Sequence, residues 1–192
     1  MTAKALIILA EGFEEVEALT PIDILRRAGI NVVTAGLDEI FVTGGHGVVI
    51  KTDVVLENVK ETFDALVLPG GSKGSDNLSR SDLVEKWIKE QHKRGGIIAA
   101  ICAAPAVVLA KTGILKGKKA TCYPGQEKLF GDSVTYIHDA NVVIDGNILT
   151  SKGVGTSQEF SLVLAERLAG KKTASQVANA TLFPVENPFF TG

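Results

Sequence analysis

The hydrophobic residues of the chain form short uninterrupted runs that alternate with longer stretches of helical periodicity. A short continuous apolar run is typical of a strand that is covered on both faces. Such runs, which we interpret as core strands, lie at residues 5–9, 32–35, 65–68 and 97–101. The periodic stretches between and after them predict helices at about residues 14–28, 81–93, 157–169 and 174–180.

Two segments of the chain depart from this alternation. Residues 41–58 alternate loosely and contain Gly44, Gly45 and Gly47, which predicts a small β-hairpin excursion. Residues 120–149 mix short strands and turns, with Asp145-Gly146 as a hairpin signal. The remaining strand–helix alternation predicts an α/β three-layer sandwich, with a mostly parallel central sheet flanked by helices. We expect a single domain over residues 1–192, of which the last ten or so residues form a tail.

Charge and composition argue against several classes of function for this chain. The net charge is −2, and the basic residues are scattered, which argues against nucleic-acid binding and against a polybasic membrane patch. The longest uncharged apolar stretch, residues 95–110, is too short to cross a bilayer and contains Pro105. The two cysteines and the lack of a signal-peptide pattern favour a reducing, cytoplasmic location.

Cys102 is the strongest candidate for chemistry. Ligands of parallel sheets bind at the carboxyl ends of the strands, and Cys102 directly follows the strand predicted at residues 97–101. The small residues after it and Pro105 predict a helix start, whose positive end would stabilise a thiolate. The alternative is a buried structural cysteine, and the pattern alone does not decide between the two.

The strand predicted at residues 65–68 ends in Pro69-Gly70-Gly71. The bare amides of these glycines, together with the amide of Ala103, could form an oxyanion hole beside Cys102. An ordinary tight turn is the alternative interpretation of these glycines.

Glu17 differs in spacing from the other acids of the first predicted helix. Glu14, Glu15 and Glu17 could all simply complement the helix dipole, and Glu15 is expected to face water. Glu17, however, lies in register with the apolar positions that should face the sheet. Burial there would raise the pKa of its carboxyl, which suits a general acid or base.

The remaining polar residues give no sign of a metal or cofactor site. His46, His92 and His138 have no metal-ligand spacing, and the sequence does not support a Cys–His dyad. The glycines at 153 and 155 lack the third glycine of a dinucleotide fingerprint. We therefore expect neither a cofactor nor a metal.

The motifs around these residues resemble the ThiJ/PfpI superfamily, specifically its Parkinsonism-associated protein deglycase (DJ-one) branch. The matching segments lie in order at residues 11–17, 21–30, 66–71, 98–105 and 148–156. The resemblance implies a flavodoxin-like α/β sandwich and a homodimer. It also implies that Cys102 is the nucleophile, that Glu17 is its protonated partner, and that the amides of Gly71 and Ala103 are the oxyanion donors.

The resemblance further implies a glyoxalase III or deglycase that needs no glutathione and no cofactor. Its substrates would be methylglyoxal-type dicarbonyls or their protein adducts, with a role in the oxidative-stress response. The alternative is a peroxide-sensing redox protein or chaperone that uses oxidation of Cys102 and shows little turnover.

Three positions depart from the superfamily pattern or extend it. Ala103 occupies the position where protease-like members have histidine, so we do not expect proteolysis. Tyr123 occupies a position where the branch often has histidine, which leaves Glu17 as the expected proton carrier. We interpret Cys122 as structural, and the alternative is a thiol that resolves an oxidised Cys102.

Overall fold

The fold is built around a seven-stranded sheet, seen in a computed structural model that describes residues 2–184. All neighbouring strands are parallel except the first pair in the order below, which is antiparallel. In spatial order the strands are β10 (Val142–Asp145), β11 (Ile148–Ser151), β7 (Ile97–Ile101), β6 (Ala65–Leu68), β1 (Lys4–Leu9), β2 (Asn31–Gly36) and β5 (Val54–Val55).

Helices cover both faces of this sheet. They are α1 (Glu15–Arg27), α2 (Ser72–Ser79), α3 (Asp82–Lys93), α4 (Ala110–Thr112), α5 (Ser157–Ala169) and α6 (Lys171–Ala180), and a π-helical turn, Pro105–Leu109, leads into α4. The buried residues of α1, α5 and α6 pack on one face of the sheet, and those of α3 and the π-helical turn pack on the other. The predicted three-layer α/β sandwich is confirmed.

The predicted hairpin excursion is also present. It consists of β3 (Phe41–Thr43) and β4 (Val49–Lys51), paired antiparallel outside the main sheet. The predicted excursion extended to residue 58, but β5 within that range pairs with β2 and belongs to the main sheet. The hairpin predicted at Asp145-Gly146 joins β10 to β11, and β8 (Lys119–Ala120) pairs with β9 (Thr135–Tyr136).

Helix α2 was not predicted, since Ser72, Gly74 and Ser75 favour a loop. Packing overrides this preference: a Cβ atom at position 74 would lie 2.7 Å from the Cα of Phe13, so the glycine lets α2 approach the loop before α1. The predicted tail falls mainly on residues 185–192, which lie outside the described residues. Within residues 2–184, no helix is long and apolar enough to cross a membrane.

Candidate active site

Cys102 lies at the carboxyl end of β7 in an unusual backbone conformation. Its φ angle is +63°, in the left-handed region that non-glycine residues rarely adopt. Its N–H donates to the carbonyl of Ser151 at 3.0 Å, and its carbonyl accepts from the N–H of Tyr123 at 2.8 Å. These two bonds hold the strained turn, which costs about 1–3 kcal/mol. The half-buried thiol is thereby fixed at the strand end.

Glu17 reaches the same point from α1. Its side chain is fully buried, as its inward spacing predicted. One oxygen, Oε2, accepts the N–H of Gly70 at 2.9 Å. The other, Oε1, has no partner of ordinary hydrogen-bond geometry within residues 2–184, and the thiol of Cys102 interacts with this carboxyl. Burial raises the pKa of Glu17 to about 7, against the opposing effects of Cys102 and the Gly70 amide.

The protonation of Cys102 depends on Glu17. Burial, followed by the charge of Glu17 and the hydrogen bond with it, raises the pKa of Cys102 to about 12, while the amides of Gly71 and Ala103 lower it. The two contributions from Glu17 require an ionised carboxylate. When Glu17 holds the proton instead, its O–H can donate to the sulfur and favour the thiolate. The amide of Ala103 at the helix start lowers the pKa of Cys102, as the sequence predicted, but burial and the charge of Glu17 outweigh it.

The two glycines after β6, Gly70 and Gly71, lie so close to other parts of the chain that a side chain would not fit at either position. Gly71 has a φ angle of +88°, and a Cβ atom there would lie 2.4 Å from the carbonyl oxygen of Gly12. A Cβ atom at Gly70 would lie 2.5 Å from Oε2 of Glu17 and 2.6 Å from the Cβ of Cys102. Their backbone can therefore lie against both the carboxyl and the thiol, with the Gly71 amide directed at the sulfur.

These groups meet at an open cavity of about 770 Å³. The four residues predicted to form the site all line this cavity: Glu17, Gly71, Cys102 and Ala103. Its other walls include Tyr123, Lys152 and His46. A larger cavity of about 1000 Å³, near Lys4, Arg94 and Arg167, has no cysteine or histidine in its walls. Its walls offer no nucleophile comparable to Cys102, so the candidate active site is the smaller cavity.

A comparison with protein families finds a match between residues 3–167 and the DJ-1/PfpI family profile. The chain belongs to the DJ-1/PfpI family. It is 44% identical over 189 residues to "Protein dj-1beta" of Drosophila melanogaster, covering 95% of this chain and 98% of that protein. It is 41% identical over 176 residues to "Glutathione-independent glyoxalase DJR-1.2" of Caenorhabditis elegans, covering 90% and 92%.

Solved DJ-1 structures have the same fold. The crystal structure of Drosophila melanogaster DJ-1beta superposes with a TM-score of 0.92 at 46% identity, over 95% of this chain and 98% of that one. Toxoplasma gondii DJ-1 in an oxidized form gives a TM-score of 0.91 at 37% identity, over 95% and 100%. The family resemblance inferred from the motifs is confirmed.

This DJ-1/PfpI chain also contains a carboxylate–imidazole pair that the sequence analysis missed. Glu15 was expected to face water, which is wrong, because it is only 7% exposed. Its Oε1 accepts the N–H of His46 at 2.6 Å, and its Oε2 lies 2.8 Å from Nδ1 of the same residue. The one available signal was the Gly44-Gly45-His46-Gly47 run, whose small residues let the β3–β4 turn approach α1.

Glu14, Glu15 and His46 are the group within residues 2–184 whose ligand atoms lie close enough, within 4.8 Å, to hold a metal ion. Both oxygens of Glu15 already accept bonds from His46.

Cys122 is fully buried in the apolar cluster on one face of the sheet, whereas Cys102 packs against the cluster on the other face. This placement favours the structural interpretation of Cys122 over a resolving role.

Proposed function

We propose that this DJ-1/PfpI protein is a cysteine-dependent, glutathione-independent glyoxalase or deglycase. Its substrates would be methylglyoxal-type dicarbonyls or their protein adducts. The observation that carries the proposal is the pairing of a strained, half-buried Cys102 with a fully buried, protonatable Glu17 at an open cavity. The similarity to a worm protein named a glutathione-independent glyoxalase supports the same reaction class.

The first proposed step is addition of the Cys102 thiolate, which forms while Glu17 holds the proton, to the substrate. The Cys102 sulfur attacks the aldehyde carbon, C1, so that an S–C bond forms and the C1=O π bond breaks. Protonated Glu17 delivers its proton to the resulting alkoxide and becomes a carboxylate. The amides of Gly71 and Ala103, which are directed at the sulfur, would stabilise the developing oxyanion.

The hemithioacetal then rearranges. The Glu17 carboxylate removes the C1 proton and the C1=C2 bond forms. The C2=O π bond breaks as the C2 oxygen takes up a proton from a second acid at the cavity, which gives an enediol. Glu17 returns its proton to C2, and the C1 hydroxyl passes its proton back to that second group, which gives a lactoyl thioester of Cys102. Water then adds to C1 while Glu17 accepts its proton, and the thiolate leaves as lactate is released.

Wild-type protein is expected to form lactate from methylglyoxal in the absence of glutathione. The test measures D- and L-lactate with stereospecific dehydrogenases, using reduced protein and matched buffer and heat-inactivated controls. Because C2 is reprotonated in a chiral site, we expect one enantiomer in excess. If reduced wild-type protein forms no lactate above the buffer rate, the proposed activity is wrong.

A second candidate function, peroxide sensing, uses the same thiol. Cys102 reaches the cavity whereas Cys122 is fully buried, so an oxidant would meet Cys102 first. Glu17 and the amides directed at the sulfur could hydrogen-bond the oxygens of a sulfinate. One relative, Toxoplasma gondii DJ-1, has been obtained in an oxidized form.

We also propose that the protein is a homodimer. Val16 and Leu19 are exposed on α1, and Val48 and Val49 are exposed on or beside the β3–β4 hairpin. The bonds between Glu15 and His46 join these two elements, so the exposed apolar side chains lie on neighbouring elements. Burial of such a patch against a second copy would remove it from water.

Size-exclusion chromatography with light scattering is expected to give a dimer for the wild type. Val49→Asp should shift the mass toward the monomer, because it places a charge in the apolar surface. Ile144→Asp is the matched control, since Ile144 is an exposed apolar residue on the opposite edge strand, β10. A monomeric wild type, or equal dissociation of both variants, would contradict this assignment.

A further inference from the structure

The imidazole of His46 is a reactive group on the cavity wall to which the mechanism above gives no role. His46 lies in the turn between β3 and β4 and lines the same cavity as Cys102 and Glu17. Its side chain is 74% exposed, so it does not contribute to the apolar core. Exposed histidine side chains often have no fixed orientation, but the ring of His46 is held in place.

Glu15 fixes the ring through one nitrogen. Nδ1 lies 2.8 Å from Oε2 of Glu15, and the main-chain N–H of His46 donates to Oε1 of the same carboxylate at 2.6 Å. Within residues 2–184, Nε2 has no hydrogen-bond partner and is free for a ligand. A carboxylate that holds one imidazole nitrogen sets the tautomer and orients the other, as in serine hydrolases.

The turn that carries His46 is itself held against the loop before α1. The N–H of Gly12 donates to Thr43 and the N–H of Gly45 donates to Phe13, each at 2.7 Å. A Cβ atom at Gly44 would lie 2.3 Å from Oε1 of Glu15, so a side chain there would displace the carboxylate that holds His46. The His46 ring and the Glu17 carboxyl are therefore anchored on the same segment, since Glu15 and Glu17 both belong to the first turn of α1.

We propose that Nε2 of His46 binds the second oxygen of an α-oxoaldehyde attached to Cys102 and supplies the proton that this oxygen takes up. This inference rests on the proposed glyoxalase function and specifies its substrate as a vicinal dicarbonyl. As Glu17 removes the C1 proton, the C2=O π electrons accept the Nε2 proton and the enediol forms. When the thioester forms, the C1 hydroxyl returns a proton to Nε2, so His46 is unchanged over the cycle.

The charges that surround His46 suit a proton donor. Glu15 and Glu14 face the ring, with Oε2 of Glu14 at 3.5 Å from Nδ1. The hydrogen bond to Glu15 and the charges of Glu14 and Glu15 raise the pKa of His46 above its ordinary value. These interactions favour the imidazolium form, in which both ring nitrogens carry a proton.

His46→Gln tests the proposal, because an amide can still donate to Glu15 but cannot transfer a proton. We expect kcat for lactate formation to fall about 100-fold, with a smaller change in KM, and the decline of activity at alkaline pH to disappear. Free imidazole should partly restore kcat of His46→Ala. His138→Ala is the matched control, since His138 is exposed and does not line the cavity.

The outcomes separate this inference from the activity on which it rests. If the wild type forms lactate and His46→Gln retains its kcat and pH profile, the role of His46 is wrong and the glyoxalase proposal stands. If the wild type forms no lactate, both fail. The rate of Cys102 alkylation by iodoacetamide should be the same in wild type and His46→Gln, and a large fall would indicate a disturbed thiol instead of a lost proton donor.

Discussion

Replacement of Cys102 by serine is expected to lower lactate formation by about 10³-fold or more, to the buffer rate. A serine hydroxyl is far less acidic than a thiol, so protonated or ionised Glu17 cannot convert it into a comparable nucleophile. The substitution preserves size, and both backbone bonds of residue 102 remain available, so the fold should persist. The measurement is kcat/KM for methylglyoxal, with the thermal unfolding midpoint as the folding control.

Cys122→Ala is the matched control for loss of a thiol. Cys122 is buried in the apolar cluster on the other face of the sheet, so its removal should leave kcat/KM within about twofold. Retention of most activity by Cys102→Ser would exclude the covalent mechanism, even if the wild type forms lactate.

Cys102→Ser and Cys122→Ala also test the alternative function, peroxide sensing by Cys102. After mild peroxide treatment, the intact mass of the wild type and of Cys122→Ala should increase by two oxygen atoms, and that of Cys102→Ser should not. This pattern together with absent lactate formation would favour a sensor over an enzyme. Oxidation of Cys122 alone would contradict the sensor hypothesis.

The parts of the site that could be predicted are those set by local sequence. The strand predicted at residues 97–101 is β7 and the helix predicted at 157–169 is α5, because continuous apolar runs and helical periodicity are local signals. Cys102 was found because it follows such a strand. Glu17 was found because its spacing places it on the inward side of α1.

The parts that could not be predicted depend on tertiary contacts. Glu15 is buried only because the β3–β4 turn brings His46 to it from far along the chain. Helix α2 forms where the local residues favour a loop, since its packing on the segment before α1 stabilises it. The protonation of Cys102 follows from Glu17, which is remote in sequence, so no feature near the cysteine could have indicated it.

Glu17→Gln is the second change for which we expect a large effect. Glutamine fits the space and keeps a carbonyl oxygen for the Gly70 amide, but it has no proton to transfer. We expect kcat/KM for methylglyoxal to fall by about 10²- to 10⁴-fold at neutral pH. A loss of less than about threefold would contradict the role of Glu17 as proton carrier.

The pH profile separates this role from a merely structural one. The pKa of Glu17 is about 7, so the wild-type pair of Glu17 and Cys102 loses its first proton near that pH. The remaining proton can reside on Glu17 beside a thiolate, and wild-type activity should therefore rise as the pH increases through about 7. In Glu17→Gln that rise should be absent, and iodoacetamide alkylation of Cys102 should require more alkaline conditions.

As the pH rises through about 7, the stability of the wild type should fall while its activity rises. Because the pKa of about 7 in the folded state lies above the ordinary value of 4.5 for Glu17, the fully protonated pair of Glu17 and Cys102 contributes stability that is fully present below pH 4.5 and is lost as the pH rises through about 7. Glutamine carries no such buried charge. The unfolding midpoint of Glu17→Gln should therefore exceed that of the wild type at pH 8 by more than at pH 5. A variant that is both inactive and less stable at pH 8 would instead indicate that Glu17 supports the fold, because loss of a proton carrier alone does not destabilise the protein.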